Sequence, residues 1–262
     1  MELESIDFYG FKISVFTKDE IIKSIEDVVN SIQSKIYYGY SLAVLIYLKK
    51  YPYYLETTSK YDVMVTDGRL FFLLAKFFGF KLKQDLSIAQ LTLLTLEIAN
   101  KNKYRIMLWG GSEESNKLAC NKIKQKYSNI NFCEGINGYF SENEKGDVFQ
   151  YIKIFKPNLL LIGMPTPKKQ LLASEIKPLL QGCVIIPCGG MIDVLAGKEK
   201  LTPNWLKKIG LASIYRHIQH PKRIPELMHI YFLSLKVFIV CLYLKYIKKS
   251  KEISIPSILL NS

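Results

Sequence analysis

An acid followed by glycine, Asp67-Gly68, stands at the end of the short and mostly apolar run 62–65. A partly buried carboxylate at the end of a strand can serve as a general base, because burial shifts its pKa toward neutrality. The same side chain could instead cap a helix that begins at Arg69. The spacing is compatible with both roles, so Asp67 is a candidate catalytic residue and Gly68 a candidate for close contact with a ligand.

A second acid, Asp193, follows the apolar run 183–186 and the glycine pair Gly189-Gly190. A strand that ends in two glycines leaves bare backbone, which a ligand can approach closely. Asp193 would then orient that ligand, or it would cap a short helix over 194–197. We therefore take Asp193 as a second candidate catalytic residue and the two glycines as candidate substrate-binding residues.

The stretch Trp109-Gly110-Gly111-Ser112 has the composition of a turn that binds nucleotide phosphate. Backbone N–H groups at the start of a helix attract an anion, and glycines allow the anion to come close. Glycine is also common in such turns for packing alone, so both interpretations stay open. The sequence contains neither GxGxxG nor GxxxxGK[ST], which argues against an ordinary dinucleotide-binding or P-loop protein.

The sequence contains no D-x-D pair, and its three histidines form no cluster with metal-ligand spacing. An enzyme that handles a sugar nucleotide without a metal ion must neutralise the departing diphosphate with Arg, Lys and backbone N–H groups. Arg216, Lys222 and Arg223 supply such cations near the C-terminus. A basic helix that faces solvent or lipid would have the same charge, so charge alone does not separate the two interpretations. We expect neither a metal site nor a cofactor.

Apolar runs and amphipathic segments alternate along the chain, and this order would position the candidate residues. The expected strands are a hairpin over 6–16 and the runs 62–65, 104–109, 130–133, 158–162 and 183–186; the expected helices follow Thr17, cover about 42–55, 70–78 and 87–100, and resume after Ser112. Such alternation is typical of an α/β fold with an open, mostly parallel sheet. Ligands of these sheets bind beyond the carboxyl ends of the strands, where VTDG, LWGG, IGMPTP and PCGG would form one rim.

The composition indicates a globular protein with a strongly basic balance. The chain has 262 residues, a net charge of +13 and 49% hydrophobic residues. The charge suits nucleic acid, anionic lipid or phosphorylated small molecules, although a lysine-rich proteome would produce it too. We expect no nucleic-acid partner, because the aromatic residues fall inside apolar runs and not along a basic face.

The cysteines and the N-terminus indicate a cytosolic body. The five cysteines show no C-x-x-C spacing, so we expect reduced thiols in the core, without disulfides or a zinc site. The N-terminal stretch 1–16 is acidic and alternates in polarity, unlike a signal peptide.

The C-terminal segment 227–247 is apolar and long enough for a membrane-spanning helix, but Lys236 lies near its centre. A central lysine costs about 3 kcal/mol in hydrocarbon, so we expect a helix that lies on the membrane or docks on the body. The expected organisation is a body over 1–200 and a basic, helical, membrane-leaning appendage over 201–262.

Six stretches of the sequence occur in the order of a known family. They are IDFYGFKISVFTKDE, DVMVTDG, LWGGSEES, NGYF, PNLLLIGMPTPKKQ and GGMIDVLAGKEKLTPNWLKKIGLASIYRHIQHPKR. Over residues 5–225 the chain therefore resembles the WecG/TagA/CpsF family of bacterial glycosyltransferases. The last stretch is the most specific of the six.

The resemblance implies a Rossmann-like, metal-independent and inverting transferase. Such an enzyme would move a sugar, often N-acetylmannosamine, from UDP to an undecaprenyl-diphosphate-linked acceptor at the inner leaflet of the cell membrane. In this chain Asp67 would take the proton of the acceptor hydroxyl and Asp193 would belong to the site. Arg216 and Arg223 would close over the diphosphate.

Further residues along the rim are candidate substrate-binding residues, and the resemblance adds no cofactor. They are Gly68, Trp109, Gly110, Gly111, Tyr139, Pro167, Lys169, Gly189 and Gly190. The sequence leaves the oligomeric state open, and a homo-oligomer is compatible with it.

The chain departs from the family pattern at several polar positions. The family's Thr-x-Asn is replaced by Gly39-Tyr40-Ser41, an arginine by Gln84, Pro-Lys-Gln-Glu by Pro167-Lys168-Lys169-Gln170, Arg-Ala-Pro by Leu201-Thr202-Pro203 and Gly-Leu-Glu by Gly210-Leu211-Ala212. These changes indicate either an altered donor or acceptor, with Lys169 supplying a charge from a new position, or loss of activity. In the second case the protein would be a non-catalytic module that holds a sugar nucleotide or a lipid-linked intermediate.

Overall fold

The computed structural model of the protein describes residues 2–250 and 252–260, without the side chains of Arg223 and Leu260. The strands are β1 (Glu4–Phe8), β2 (Phe11–Val15), β3 (Lys35–Tyr40), β4 (Val63–Thr66), β5 (Arg105–Gly110), β6 (Phe132–Ile136), β7 (Leu159–Gly163) and β8 (Val184–Ile186). The helices of the body are α1 (Lys18–Val29), α2 (Val44–Lys50), α3 (Tyr54–Ser59), α4 (Arg69–Phe77), α5 (Ile88–Asn102), α6 (Glu113–Lys126), α7 (Lys145–Phe155), α8 (Lys168–Ile176) and α9 (Met191–Ala196). The C-terminal helices are α10 (Asn204–Lys208), α11 (Ala212–Gln219), α12 (Ile224–Leu242), continued by a π-helical turn Tyr243–Ile247, and α13 (Ile255–Leu260).

Six parallel strands form one sheet in the order β4-β3-β8-β7-β5-β6. The strands β4 and β8 are buried along their whole length, as is β7 up to its last residue. Continuous apolar strands of this kind are typical of parallel sheets that are covered on both faces. The predicted α/β class with an open parallel sheet is therefore confirmed.

The predicted N-terminal hairpin and the helix after it are also confirmed. Strands β1 and β2 pair in antiparallel register around Gly10. Thr17 accepts a hydrogen bond from the backbone N–H of Glu20, whose side chain accepts one from the N–H of Thr17. This reciprocal cap starts α1 and aims Ile21 and Ile25 into the core.

The sequence analysis missed β3, which lies in the interior of the sheet. Its sequence KIYYGY reads as polar because it contains three tyrosines, yet all three are buried with their hydroxyls paired. The hydroxyl of Tyr37 bonds Ser24, that of Tyr38 bonds Tyr54, and that of Tyr40 bonds Thr58. Buried tyrosines are tolerated in a core when each hydroxyl has such a partner.

The helix expected over 42–55 is divided into α2 and α3. Tyr51 has φ −131° and ψ 95°, an extended conformation. The residue that precedes a proline avoids the helical region, so Pro52 ends α2 at this point. The expected strand over 130–133 begins two residues later than predicted, at Phe132.

The C-terminal helices pack against the body. α12 contacts α2 and α11, and α13 contacts α2. The N–H of Ile255 donates to the carbonyl of Tyr9 in the N-terminal hairpin, with 2.9 Å between the two atoms. The chain therefore returns from α12 to its own first strands, while the domain boundary at residue 200 stays a prediction.

Candidate functional site

The sheet changes its winding direction between β5 and β7. The chain leaves β5 through α6 toward the edge strand β6, whereas it leaves β7 through α8 toward β8 on the other side. In open α/β sheets ligands bind in the crevice at such a reversal, beyond the carboxyl ends of the strands. The turns predicted to form one rim all lie at this edge of the sheet.

The glycines at the end of β5 serve packing between strands. Gly110 lies opposite Gly163 of β7, and a Cβ at Gly110 would collide with the backbone of Gly163. The N–H of Gly111 donates to the carbonyl of Gly163 at 3.1 Å, and its carbonyl accepts from the N–H of Gly138 at 2.9 Å. An N–H group that a phosphate would need is therefore already engaged, which favours the packing interpretation for this turn.

Trp109, another candidate for substrate binding, is fully buried. Its ring stacks on Phe140 with 5.7 Å between centroids and meets the edge of Phe149. The structure thus places Trp109 in the core below the rim, while Tyr139 in the next turn is 82% exposed. Of the two aromatic candidates, Tyr139 is the one that a ligand can reach directly.

The open parts of the rim lie at Gly68 and Gly189. Gly68 has a φ of +121°, and no atom lies within 4 Å of a Cβ placed there. Gly189 has a φ of +60°, and the atom nearest to such a Cβ is Nζ of Lys169 at 3.3 Å. Both positions adopt a backbone conformation that favours glycine; the space above Gly68 is open, whereas the flexible end of Lys169 lies above Gly189.

Asp67 does not cap α4, whose N-cap residue is Gly68. Its Oδ1 accepts a hydrogen bond of 3.0 Å from the N–H of Ile88, the first residue of α5. Oδ2 has no hydrogen-bond partner among the described residues, so this half-buried acid keeps one oxygen for a ligand.

Asp193 lies inside α9 and links that helix to α6. The N-cap residue of α9 is Gly190, so the structure does not support a cap by Asp193 over 194–197. Its Oδ1 accepts a hydrogen bond of 2.7 Å from the hydroxyl of Ser115, which also contacts the hydroxyl of Ser112. The acid therefore positions α9 against the first turn of α6.

The two acids lie on opposite sides of the rim. Asp67 follows β4, whereas Asp193 bonds to the helix that follows β5. Four strand spacings separate β4 from β5, or about 19 Å. The ends of β3, β8 and β7 lie between β4 and the helix to which Asp193 bonds.

Lys169 occupies the middle of this interval. It lies in the first turn of α8, after its N-cap residue Pro167, and its Nζ is 6.0 Å from the centre of the Tyr38 ring. Burial raises the pKa of the Cys188 thiol to about 12, and the nearby charge of Lys169 opposes that rise. Lys169 thus places a positive charge directly above Gly189.

Arg69 and Asp85 join Asp67 in a cluster that the sequence analysis did not identify. Nη1 of Arg69 lies 3.5 Å from Oδ2 of Asp85. Burial raises the pKa of the Asp85 carboxyl, the Arg69 guanidinium opposes this rise, and repulsion from Asp67 adds to it. The position of an arginine directly after Asp67-Gly68 was a signal that could have been used.

Among the predicted C-terminal cations, the side chain of Arg216 is described, and no hydrogen bond or ion pair joins it to the rim within the described residues. Arg216 lies exposed on α11 and forms no ion pair among the described residues. α11 is held near the rim, because His220 at its end bonds Glu199, with 3.0 Å between Nε2 and Oε1, and a Cβ at Gly190 would lie 3.6 Å from Oε2 of Glu199. The side chain of Arg223 lies outside the described part of the chain.

No group of three His, Cys, Asp or Glu residues within the described ranges could hold a metal ion. One cavity, of about 670 Å³, lies between the N-terminal hairpin and the C-terminal segment. A second, of about 500 Å³, lies between the hairpin and the region of α2 and α3. Neither cavity includes Asp67, Asp193 or Lys169, so both lie away from the rim.

One helix within the described residues is long and apolar enough to cross a membrane by length and composition. It covers Ile224–Ile247, with a mean hydropathy of 2.0, and 28% of its most apolar window is buried. Its buried side chains are Leu227, Ile230, Leu233, Val237 and Cys241. On the opposite face, Met228, Phe232, Leu235 and Ile239 are each more than half exposed.

Comparison with known proteins agrees with the resemblance drawn from the six motifs. Residues 6–252 match the glycosyl transferase WecG/TagA/CpsF family. The N-acetylglucosaminyldiphosphoundecaprenol N-acetyl-beta-D-mannosaminyltransferase of Staphylococcus aureus strain MW2 is 29% identical over 198 residues, 74% of this chain and 76% of that protein. The proteins of the same name from strains NCTC 8325 and MRSA252 are 29% and 28% identical over the same shares. Because the family match covers nearly the whole chain, this protein is a glycosyltransferase and belongs to the WecG/TagA/CpsF family.

Proposed function

We propose that the protein is a metal-independent, inverting glycosyltransferase of cell-surface polysaccharide or teichoic acid synthesis. It transfers N-acetylmannosamine or a related hexose from UDP to a sugar carried on a polyprenyl diphosphate. The names of the relatives support this acceptor class, since they describe enzymes that act on a diphosphoundecaprenol-linked sugar. The observation that carries the proposal is Asp67, a half-buried acid at a strand end with one oxygen unpaired beside the open backbone of Gly68.

In the proposed reaction, Asp67 takes the proton of the acceptor hydroxyl as that oxygen attacks the anomeric carbon of the donor. The bond from the anomeric carbon to the diphosphate breaks on the opposite face, so the configuration inverts and UDP leaves with the bonding electron pair. A base near the acceptor and positive charge near the leaving group are the two requirements of this displacement. Asp67 lies at the β4 end of the rim, which supports a placement of the acceptor there.

Lys169 supplies positive charge for the departing diphosphate. Its Nζ lies above Gly189, where the bare backbone lets a phosphate come close. Arg216 and Arg223 add charge from the C-terminal appendage when α11 closes over the rim. Asp193 acts as a positioning residue, because its carboxylate joins α9 to α6 and so holds the Gly189-Gly190 turn.

The protein associates peripherally with the cytoplasmic face of the cell membrane. Residues 201–262 contain ten Lys or Arg and two Glu, a net charge of +8, which suits anionic lipid. The exposed apolar face of α12 supports an interfacial helix, and Lys236 lies exposed at the flank of that face.

Calorimetric titration with UDP in EDTA, followed by a transfer assay with a panel of UDP-sugars and a lipid-diphosphate N-acetylglucosamine acceptor, tests the proposal. Binding with transfer is the expected result and would also identify the donor. Binding without transfer to any acceptor would instead favour a non-catalytic module. The replacement of family arginines by Gln84 and Leu201 would then account for the loss of activity. A strict requirement for a divalent metal ion would contradict the metal-independent mechanism.

A further inference from the structure

The outer face of α4 combines two cations with two apolar side chains. Arg69, Leu73, Lys76 and Phe77 share this face, since residues three or four apart lie on the same side of a helix. Leu73 and Phe77 are 43% and 57% exposed, although the opposite side of the helix is buried in the core. A charged and apolar face of this kind matches an amphiphile with an anionic head.

The charged end of this face lies beside Asp67. Arg69 is separated from that acid by Gly68 alone, and its Nη1 lies 3.5 Å from Asp85. A strong charge-assisted hydrogen bond would be about 2.8 Å long. Nε of Arg69 is buried and has no hydrogen-bond partner within the described residues. Nε itself is out of a ligand's reach, but the side chain as a whole is 36% exposed, so the weakly paired guanidinium is accessible to a further anion.

The apolar end of this face continues into α12. The rings of Phe77 and Phe238 lie 5.6 Å apart, and Nζ of Lys245 donates to the carbonyl of Phe78 at the end of α4. Leu235 lies three residues before Phe238 on α12, belongs to the outward face of that helix and is 57% exposed. An apolar surface thus runs without interruption from Leu73 to the face assigned to the membrane.

The order of groups along α4 repeats the order of groups in a lipid-linked sugar. Asp67 comes first, Arg69 follows, and Leu73 and Phe77 lie one and two turns further on, at about 5.4 Å per turn. A lipid-linked acceptor carries its sugar, its diphosphate and its hydrocarbon in the same sequence. With the diphosphate at Arg69, the sugar hydroxyl lies toward Asp67 and the hydrocarbon toward the membrane.

We infer that the outer face of α4 is the binding site for the prenyl diphosphate part of the acceptor. Arg69 binds the diphosphate, and Leu73 and Phe77 contact the first isoprene units on their way to α12. The identity of this ligand rests on the proposed function. The site explains why a helix next to the catalytic acid keeps exposed apolar residues where a solvated helix would carry polar ones.

Calorimetry on the full-length protein with two probes, farnesyl diphosphate and inorganic diphosphate, tests the inference. Arg69→Gln should weaken the binding of both probes about tenfold or more. The double variant Leu73→Ser with Phe77→Ser should weaken farnesyl diphosphate about tenfold and leave inorganic diphosphate unchanged. Ile154→Ser is the control, since Ile154 is an apolar side chain that is 67% exposed on α7, away from the rim, and its change should alter neither affinity.

Unchanged affinity for farnesyl diphosphate in the double variant would overturn the inference. A loss of self-association in that variant, measured by sedimentation without any change in probe affinity, would assign the face to a second copy of the chain and overturn it too. The expected affinity changes in a protein that transfers no sugar would leave the site standing and contradict only the proposed function. An active transferase whose variants all bind both probes like the wild type would support the proposed function and contradict the site on α4.

Discussion

Asp67 is held in place by two backbone groups. Its N–H donates to the carbonyl of Tyr40 at 2.8 Å, and its Oδ1 accepts from the N–H of Ile88 at 3.0 Å. These contacts fix the direction of the carboxylate, as a general base requires. The same contacts form with an amide oxygen, so an asparagine at this position should keep the local structure.

Asp67→Asn should therefore lower kcat by about 100-fold or more and leave the affinity for UDP nearly unchanged. The measurement is a steady-state transfer assay together with calorimetric titration of UDP. Asp147→Asn, a change of the same kind on the exposed side of α7, serves as the control. Wild-type turnover in Asp67→Asn would remove this residue from the role of base.

In the proposed mechanism, the charge of Lys169 compensates for the family arginines that Gln84 and Leu201 replace in this chain. Lys169→Met keeps most of the side-chain length and removes the charge above Gly189. The affinity for UDP should fall about tenfold or more, because hydrogen bonds to charged groups contribute about 1.5–3 kcal/mol. Lys153→Met on the exposed side of α7 should have no effect. Equal UDP affinities for Lys169→Met and wild type, measured by calorimetry, would place the diphosphate elsewhere.

The elements that carry the site show what the sequence could and could not predict. The strand ends at Asp67 and Gly189 were predictable, because an apolar run followed by glycine marks the end of a buried strand. Strand β3 was missed because its buried tyrosines satisfy their hydroxyls with side chains far along the chain, such as Tyr38 with Tyr54. The hydrogen bond from the N–H of Gly111 to the carbonyl of Gly163 could not be predicted either, because the order of the strands in the sheet decides which turns become neighbours.

The hydroxyl network of β3 contributes to the stability of the fold. The hydroxyl of Tyr38 bonds Tyr54 at 3.1 Å and accepts from Nε2 of Gln170 at 2.8 Å. Tyr38→Phe leaves these buried groups with fewer partners, so the free energy of unfolding should fall by about 1–3 kcal/mol. Urea denaturation measures this free energy of unfolding, and Tyr53→Phe, at a position that is 42% exposed, is the control. An effect no larger than that of the control would mean that the network is not important for stability.

Much of the positive charge of the molecule and an exposed apolar face both lie in its C-terminal region. The last 62 residues carry a net charge of +8 out of +13 for the chain. The outward face of α12 supplies the apolar contacts, while its inward face packs on the body through Leu233 and Val237. Removal of the entire segment would expose the core, so substitutions on the outward face are the cleaner test.

A triple variant with Phe232→Ser, Leu235→Ser and Ile239→Ser should lose membrane binding without unfolding. All three side chains are more than half exposed, so the core contacts of α12 stay intact. Each apolar residue inserted into the interface contributes to binding in proportion to its buried area, and three losses should weaken vesicle binding by more than tenfold. Co-sedimentation with vesicles that contain anionic lipid provides the measurement, and Ile154→Ser provides the control.

Salt dependence separates the two contributions to membrane binding. Attraction of the basic segment to anionic lipid is screened over about 8 Å at physiological ionic strength, so raising the salt concentration should weaken the binding of the wild type. A helix that spans the bilayer would stay with the membrane at high salt, and three serines would not release it. Wild-type protein that resists high salt and the triple substitution together would therefore contradict the interfacial helix and show that α12 crosses the membrane.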